Sequence, residues 1–141
     1  MSETKVVIRA GVPGMDSERA NGEHRYPASA SDFMKLLREQ GFSVEYEHER
    51  AERTLVEFKA FDVWVPVLDF TLNVLANIPA NIVATAIMNY FHAMRRDVKD
   101  SILHVEYSMR KENGDVVKFK ADGAGSDVVE AIKAFDLDIR D

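Results

Sequence analysis

The sequence has no cysteine. That excludes a disulfide framework, thiolate metal sites and a cysteine nucleophile, and it fits a reducing compartment. The opening residues, MSETKVVIRAG, lack the basic start and apolar core of a secretory signal. A cytoplasmic location is the expectation. Positive charge is also short: Lys and Arg number 18 against 24 Asp and Glu, for a net charge of −6. A surface of that sign repels nucleic acid unless a basic patch is built locally. The best basic cluster, Arg95-Arg96-Asp97-Val98-Lys99, is interrupted by an acid and reads as a helix C-terminus, where cations favour the dipole. No repeat of fixed period is present, and 141 residues suit one domain, 1–141, with a core of its own.

The marks of catalysis are missing as well. The histidines His24, His48, His92 and His104 stand at no mutual spacing that would form a motif. His48-Glu49 shares only its first two letters with a zinc-protease motif. Gly11-Val12-Pro13-Gly14 follows a strand but lacks the lysine and the helix of a phosphate loop. There is no G-x-S-x-G elbow. Alternation puts Glu45, Glu47, Glu49 and Glu57 in open water, where nothing shifts a carboxyl into the range of a general acid. No enzyme activity, catalytic residue, metal or cofactor is expected.

The most informative absence is of charge. From Phe70 to Met94 the chain reads FTLNVLANIPANIVATAIMNYFHAM, with Asp69 before it and Arg95 and Arg96 after it. Such a run belongs in a core, in an interface or in a bilayer. It is long enough to span a membrane. Yet it holds Asn73, Asn77, Asn81, Thr85 and Asn89, and an unpartnered amide in hydrocarbon costs roughly 4 to 8 kcal/mol. These polar residues recur every four positions, which on a helix is one drifting stripe. Ala76, Ala80 and Ala84 form a second stripe that lets another backbone approach. Pro79 divides the run. Two helices are predicted, about Val67 to Asn77 and Pro79 to Arg96, with a single kinked helix as the alternative.

Around this run the pattern is regular. Lys5 to Ala10 is β-branched and predicts a strand, and 11–28 is a long polar loop. Ser29 to Asp32 signals a helix start, and Gly41 its stop. Phe42 to Glu49 alternates as a half-buried strand, with Thr54 to Phe61 as its hairpin partner. Trp64 is expected to seal sheet against helices. Ser101 to Arg110 alternates with Leu103, Val105, Tyr107 and Met109 inward. Asn113-Gly114 then predicts a hairpin to Val116–Ala121, ended by Gly123 and Gly125. Ser126 caps a last helix with Val128, Val129, Ile132 and Phe135 buried, and 136–141 is a loose acidic tail. The sum is an α+β fold: a mostly antiparallel sheet of about five strands, a central helical hairpin or kinked helix, and two short amphipathic helices on one face.

The second half, an uncharged helical region followed by a strand, an Asn-Gly hairpin and a helix (ILHVEYSMRKENGDVVKFKADGAGSDVVEAIKAF), resembles the effector-associated constant components of bacterial conflict systems in order and composition. The resemblance covers about the last 80 residues and implies a non-enzymatic accessory role, with no catalytic residues to carry over. The leading expectation is a protein-interaction module that associates with itself or with a protein partner through Asn73, Asn77, Ala80, Asn81, Ala84, Asn89 and Tyr90. Two other readings stay open. One is a small-ligand or enzymatic domain with its pocket under the 11–28 loop, near His24 or His48. The other is a membrane-active protein that releases 70–94.

Overall fold

The structure is a computed structural model and describes residues 5–11, 24–56, 62–71, 82–110 and 114–140, with only the backbone described at 56 and 136–140. Its elements are β1 (Lys5–Arg9), β2 (His24–Pro27), α1 (Ala30–Glu39), β3 (Ser43–Tyr46), β4 (Arg53–Val56), β5 (Asp62–Trp64), β6 (Val67–Thr71), α2 (Ile82–Ala93), β7 (Ile102–Arg110), β8 (Val116–Ala124) and α3 (Gly125–Arg140). Single 3₁₀ turns lie at Arg50–Glu52 and Val98–Asp100. The class is α+β, as the pattern implies.

The sheet is mixed rather than mostly antiparallel. β3 lies beside β1, β1 beside β6, β6 beside β7, and β8 closes the far side of β7. The β1–β3 and β6–β7 pairs are parallel, and the β1–β6 and β7–β8 pairs antiparallel. Parallel neighbours need a crossover, and helices supply it. α1 returns the chain between β1 and β3, and α2 stands between β6 and β7. Each half therefore contains a β–α–β unit, β1–α1–β3 and β6–α2–β7. The expected hairpin of 42–49 with 54–61 does not form: β3 joins β1, and β4 pairs with β2, parallel, in a separate small sheet.

The start of the uncharged run is also a strand. Val67–Thr71 is β6, with Leu68 and Phe70 buried and Asp69 on the other face. That two-residue alternation outweighs the absence of charge, which marks burial without choosing an element. Asn73, Asn77, Pro79, Ala80 and Asn81 lie outside the described residues, as does most of the 11–28 loop. β5 and β6 occupy one sheet position beside β7. Asp62 pairs with Ile102 but Leu68 with Tyr107, so this side carries one residue more than β7 does. The extra residue is a bulge at Val65-Pro66, the place where a proline is tolerated in a sheet.

One face of the sheet carries the core. Val6 and Ile8 of β1, Phe70 of β6 and Leu103 of β7 are fully buried beneath the helices. Burying a side chain of that size contributes about 1.5 to 3 kcal/mol. α2 packs against both α1 and α3, and Phe33 of α1 stacks on Tyr90 of α2 at 4.9 Å between centroids. Under the β7–β8 hairpin, Tyr107, Phe119 and Phe135 form an aromatic cluster. Three expectations at the C-terminal end are corrected. β8 runs on to Ala124, because Gly123 remains in register with Leu103. Gly125 opens α3 where its amide meets the Ser101 carbonyl, and a Cβ there would collide with the Val98 carbonyl. The stretch read as a loose tail is helix as far as Arg140.

Candidate interaction surface

The residues expected at an interface separate by face. Ala84 and Tyr90 are turned into the chain's own core, at 2% and 9% exposure. They are not available to another chain while α2 keeps its place. Asn89 is exposed, and so is Thr85 one turn earlier. The four-residue polar stripe is therefore the outer ridge of α2 over its described length, and the small-residue stripe its inner face. Met88 and His92 share the ridge, and sequence reasoning passed over both of them as interface residues. Their signal was present: each lies three or four residues from Thr85 or Asn89, hence on the same side.

What sets this ridge apart is its neighbours. α1 exposes Asp32, Lys35, Arg38 and Glu39, and α3 exposes Asp127, Glu130 and Lys133. Between them α2 exposes Thr85, Met88, Asn89, His92 and Ala93, none with a fixed charge, and Met88 is 42% exposed. The neutral ridge runs into Met94, 50% exposed, and then into the cationic pair Arg95 and Arg96. There the helix ends in a Schellman motif. The Arg96 amide donates to the Phe91 carbonyl at 3.0 Å and the Arg95 amide to that of His92 at 3.1 Å. α1 ends the same way, with Phe42 bonded to Leu37 and Gly41 to Arg38. The motif needs a left-handed residue, which is Gly41 (φ 95°) in α1 and Arg95 (φ 55°) in α2. An L-residue there costs about 1 to 2 kcal/mol.

The sheet face away from the helices holds two polar clusters. In the first, Arg9 donates to Asp69 at 2.8 Å and to Glu47 at 3.0 Å, Ser108 donates to Asp69, and the Ala10 amide donates to Glu47. The hydrogen bond to Asp69 is the main cause that raises Arg9 above its ordinary value. Burial pushes the Glu47 carboxyl up, but the Ala10 amide and Arg9 outweigh it and hold the group below the usual carboxylate range. Glu47 is thus exposed, as the alternation implies, but held as an acceptor by Arg9 and the Ala10 amide.

In the second cluster, His104 lies flat on Trp64, 3.6 Å between centroids, with Nδ1 2.6 Å from Asp122 and Nε2 3.0 Å from Asp62. The ring, with a carboxylate at each nitrogen, joins β5, β7 and β8. Trp64 belongs to this open face and does not seal the sheet against the helices.

His24 and His48 also meet, although far apart in sequence. Their rings stack at 3.6 Å, beside Tyr26, whose hydroxyl contacts His48 Nδ1 at 2.8 Å and accepts the His48 amide at 3.2 Å. Burial pushes the Tyr26 phenol up to about 12. Among the described residues no group of His, Asp and Glu is placed to hold a metal ion, and no helix is long and apolar enough to cross a membrane. Comparison of the chain with protein-family models, with curated proteins and with solved structures gives no match.

Proposed function

We propose that this chain is a non-enzymatic protein-interaction module of the cytoplasm, an accessory component whose contact surface is the outer ridge of α2. One observation carries the reading: the ridge of Thr85, Met88, Asn89 and His92 is exposed and uncharged, although the helices on both sides are charged. Charged groups lose hydration when a partner covers them, so interface centres are depleted in charge and enriched in methionine. Here Met88 supplies apolar area, worth about 25 cal/mol per Å² covered. Thr85 and Asn89 supply hydrogen bonds that fix register more than they add affinity. The layout resemblance of the C-terminal half to conflict-system accessory components supports the same role. The first partner to test is a second copy. Light scattering after size exclusion, over a concentration series, should give a mass above one chain for the wild type and one chain for Met88→Lys. Both proteins should keep the same circular dichroism, because position 88 is on the outside. A wild type that stays at one chain at the highest concentration removes self-contact through the ridge.

A further inference from the structure

The sheet face away from the helices carries many charged side chains, and most of them pair with one another. Lys5 meets Glu45 at 2.8 Å, Arg9 meets Glu47 and Asp69, and His104 meets Asp62 and Asp122. The β7–β8 hairpin is different. Its Glu106, Arg110, Lys118 and Lys120 make no hydrogen bond or ion pair among the described residues.

Three of these four surround one recess. Glu106, Lys118 and Lys120, with Ser108 and Val67, line a hollow of about 350 Å³. Register groups them. Glu106 lies opposite Lys120, and Ser108 opposite Lys118, across the antiparallel pair, so the four side chains are mutual neighbours on one face. The Ser108 hydroxyl donates to Asp69, which leaves its oxygen as an acceptor.

The bulge supplies the remaining wall. The Val65 amide donates to the His104 carbonyl at 3.0 Å, and the ladder resumes only where Leu68 meets Tyr107. Glu106 stands beside this interruption, half-buried in the middle of the sheet. Bulges collect next to functional sites, because they break the ladder and re-aim side chains. A charged group partly out of water is costly without a partner. Lys120 is directly across the pair, yet the two do not close on each other.

We infer that this recess binds a small zwitterion with two negative charges and one ammonium group, the class of the acidic amino acids and the aminoalkyl phosphates. Lys118 and Lys120 hold the anionic charges, Glu106 holds the ammonium, and the carbon chain lies against Val67. Two lysines against one glutamate leave one net positive charge, which such a ligand balances. The nearest other carboxylates on this face, Asp69 and Asp122, are engaged by Arg9 and His104. Arg110, two residues beyond Ser108 on the same face, adds positive charge at the Lys118 side. The hollow has the size at which small-molecule pockets begin, about 300 Å³. It lies on the opposite side of the sheet from α2 and is independent of the ridge reading.

Titration of ¹⁵N-labelled protein, followed by its amide shifts, reads place and affinity together. L-Glutamate and phosphoethanolamine are the zwitterion probes. Glutarate and inorganic phosphate are their counterparts without the ammonium group. At least one zwitterion should shift the amides of 106–108 and 118–120 and saturate by about 10 mM, the weak end of specific binding. The tighter of the two tells carboxylate from phosphate. Lys118→Met and Lys120→Met should each weaken that probe about tenfold, since hydrogen bonds to charged groups are the strong kind. Glu106→Gln should weaken it by a similar factor and leave the ammonium-free counterpart as tight or tighter. The amide spectrum of each variant reports that the fold is kept. No saturable shift with either zwitterion overturns the site. A counterpart that binds as tightly as its zwitterion overturns the role of Glu106 and leaves only a patch of positive charge.

Discussion

The Glu47 carboxylate accepts the backbone amide proton of Ala10 at 2.9 Å, and so ties the residue after β3 to the residue after β1. These strands are parallel and their pairing stops at Ile8 and Tyr46. The contact extends the joint beyond the ladder. A second oxygen of Glu47 accepts from Arg9 at 3.0 Å. Stability from this group follows its depressed value. It is present above the ordinary carboxylate range, about 4.3, and is lost as acidification carries the pH through the lower folded value. Glu47→Gln should destabilise the protein at neutral pH by about 1 kcal/mol. Denaturant titrations from neutral to acid should show that difference shrinking. A difference that is constant with pH would contradict the assigned role.

Tyr26 titrates with the opposite sign. Its folded value, about 12, lies above the ordinary phenol value of about 10. The stability it confers is fully present below about pH 10 and declines as the pH rises through the folded value. Tyr26→Phe should flatten the alkaline end of the stability profile. At neutral pH it should cost about 1 to 3 kcal/mol, because the His48 amide loses its acceptor. Ultraviolet titration of the tyrosines, wild type against variant, counts the phenol that resists ionisation.

His104→Leu should leave Asp62 and Asp122 without the ring that joins them. The carboxylates are half exposed, so solvent screens much of the effect and the expected loss is about 1 kcal/mol. Trp64 is the only tryptophan and lies against the ring. Its emission should change in the folded variant, and an unchanged spectrum would speak against the stack.

Two glycines are expected to resist alanine for different reasons. Gly41→Ala forces a left-handed alanine and should cost about 1 kcal/mol. Gly125→Ala drives a methyl into the Val98 carbonyl oxygen. Backbone has to move, so about 1 to 3 kcal/mol is expected. Chemical denaturation of both variants measures the two costs, and Gly125→Ala should be the larger.

Local pattern was legible wherever one face meets water and the other the core. The alternation of 102–110 put Leu103, Val105, Tyr107 and Met109 inside, where they are. The facing of His104 and Asp122 was not legible, because the return strand was expected to stop at Ala121 and the pair lies beyond it. Pairing between distant segments was not legible. Nothing local distinguishes β3 beside β1 from β3 beside β4, because a parallel partner is selected by the whole layer and not by a turn. The uncharged run announced burial, but reading it as helix from Val67 on was wrong, since Val67–Thr71 is a strand. Within α2 the stripe of Thr85 and Asn89 was visible. Which side faced out was decided by Phe33 and the other residues that Tyr90 packs against.

The meeting of the two β–α–β halves at β1 and β6 bears on how the protein emerges from the ribosome. Val6 and Ile8 are made before both of their partner strands, and β3, the earlier of the two, leaves one flank of β1 open until Val67–Thr71 has been synthesised. Until then the nascent chain carries an apolar strand edge with no partner of its own. Chaperone dependence during synthesis, absent when the finished chain is refolded from dilute denaturant, is the expected signature of that delay.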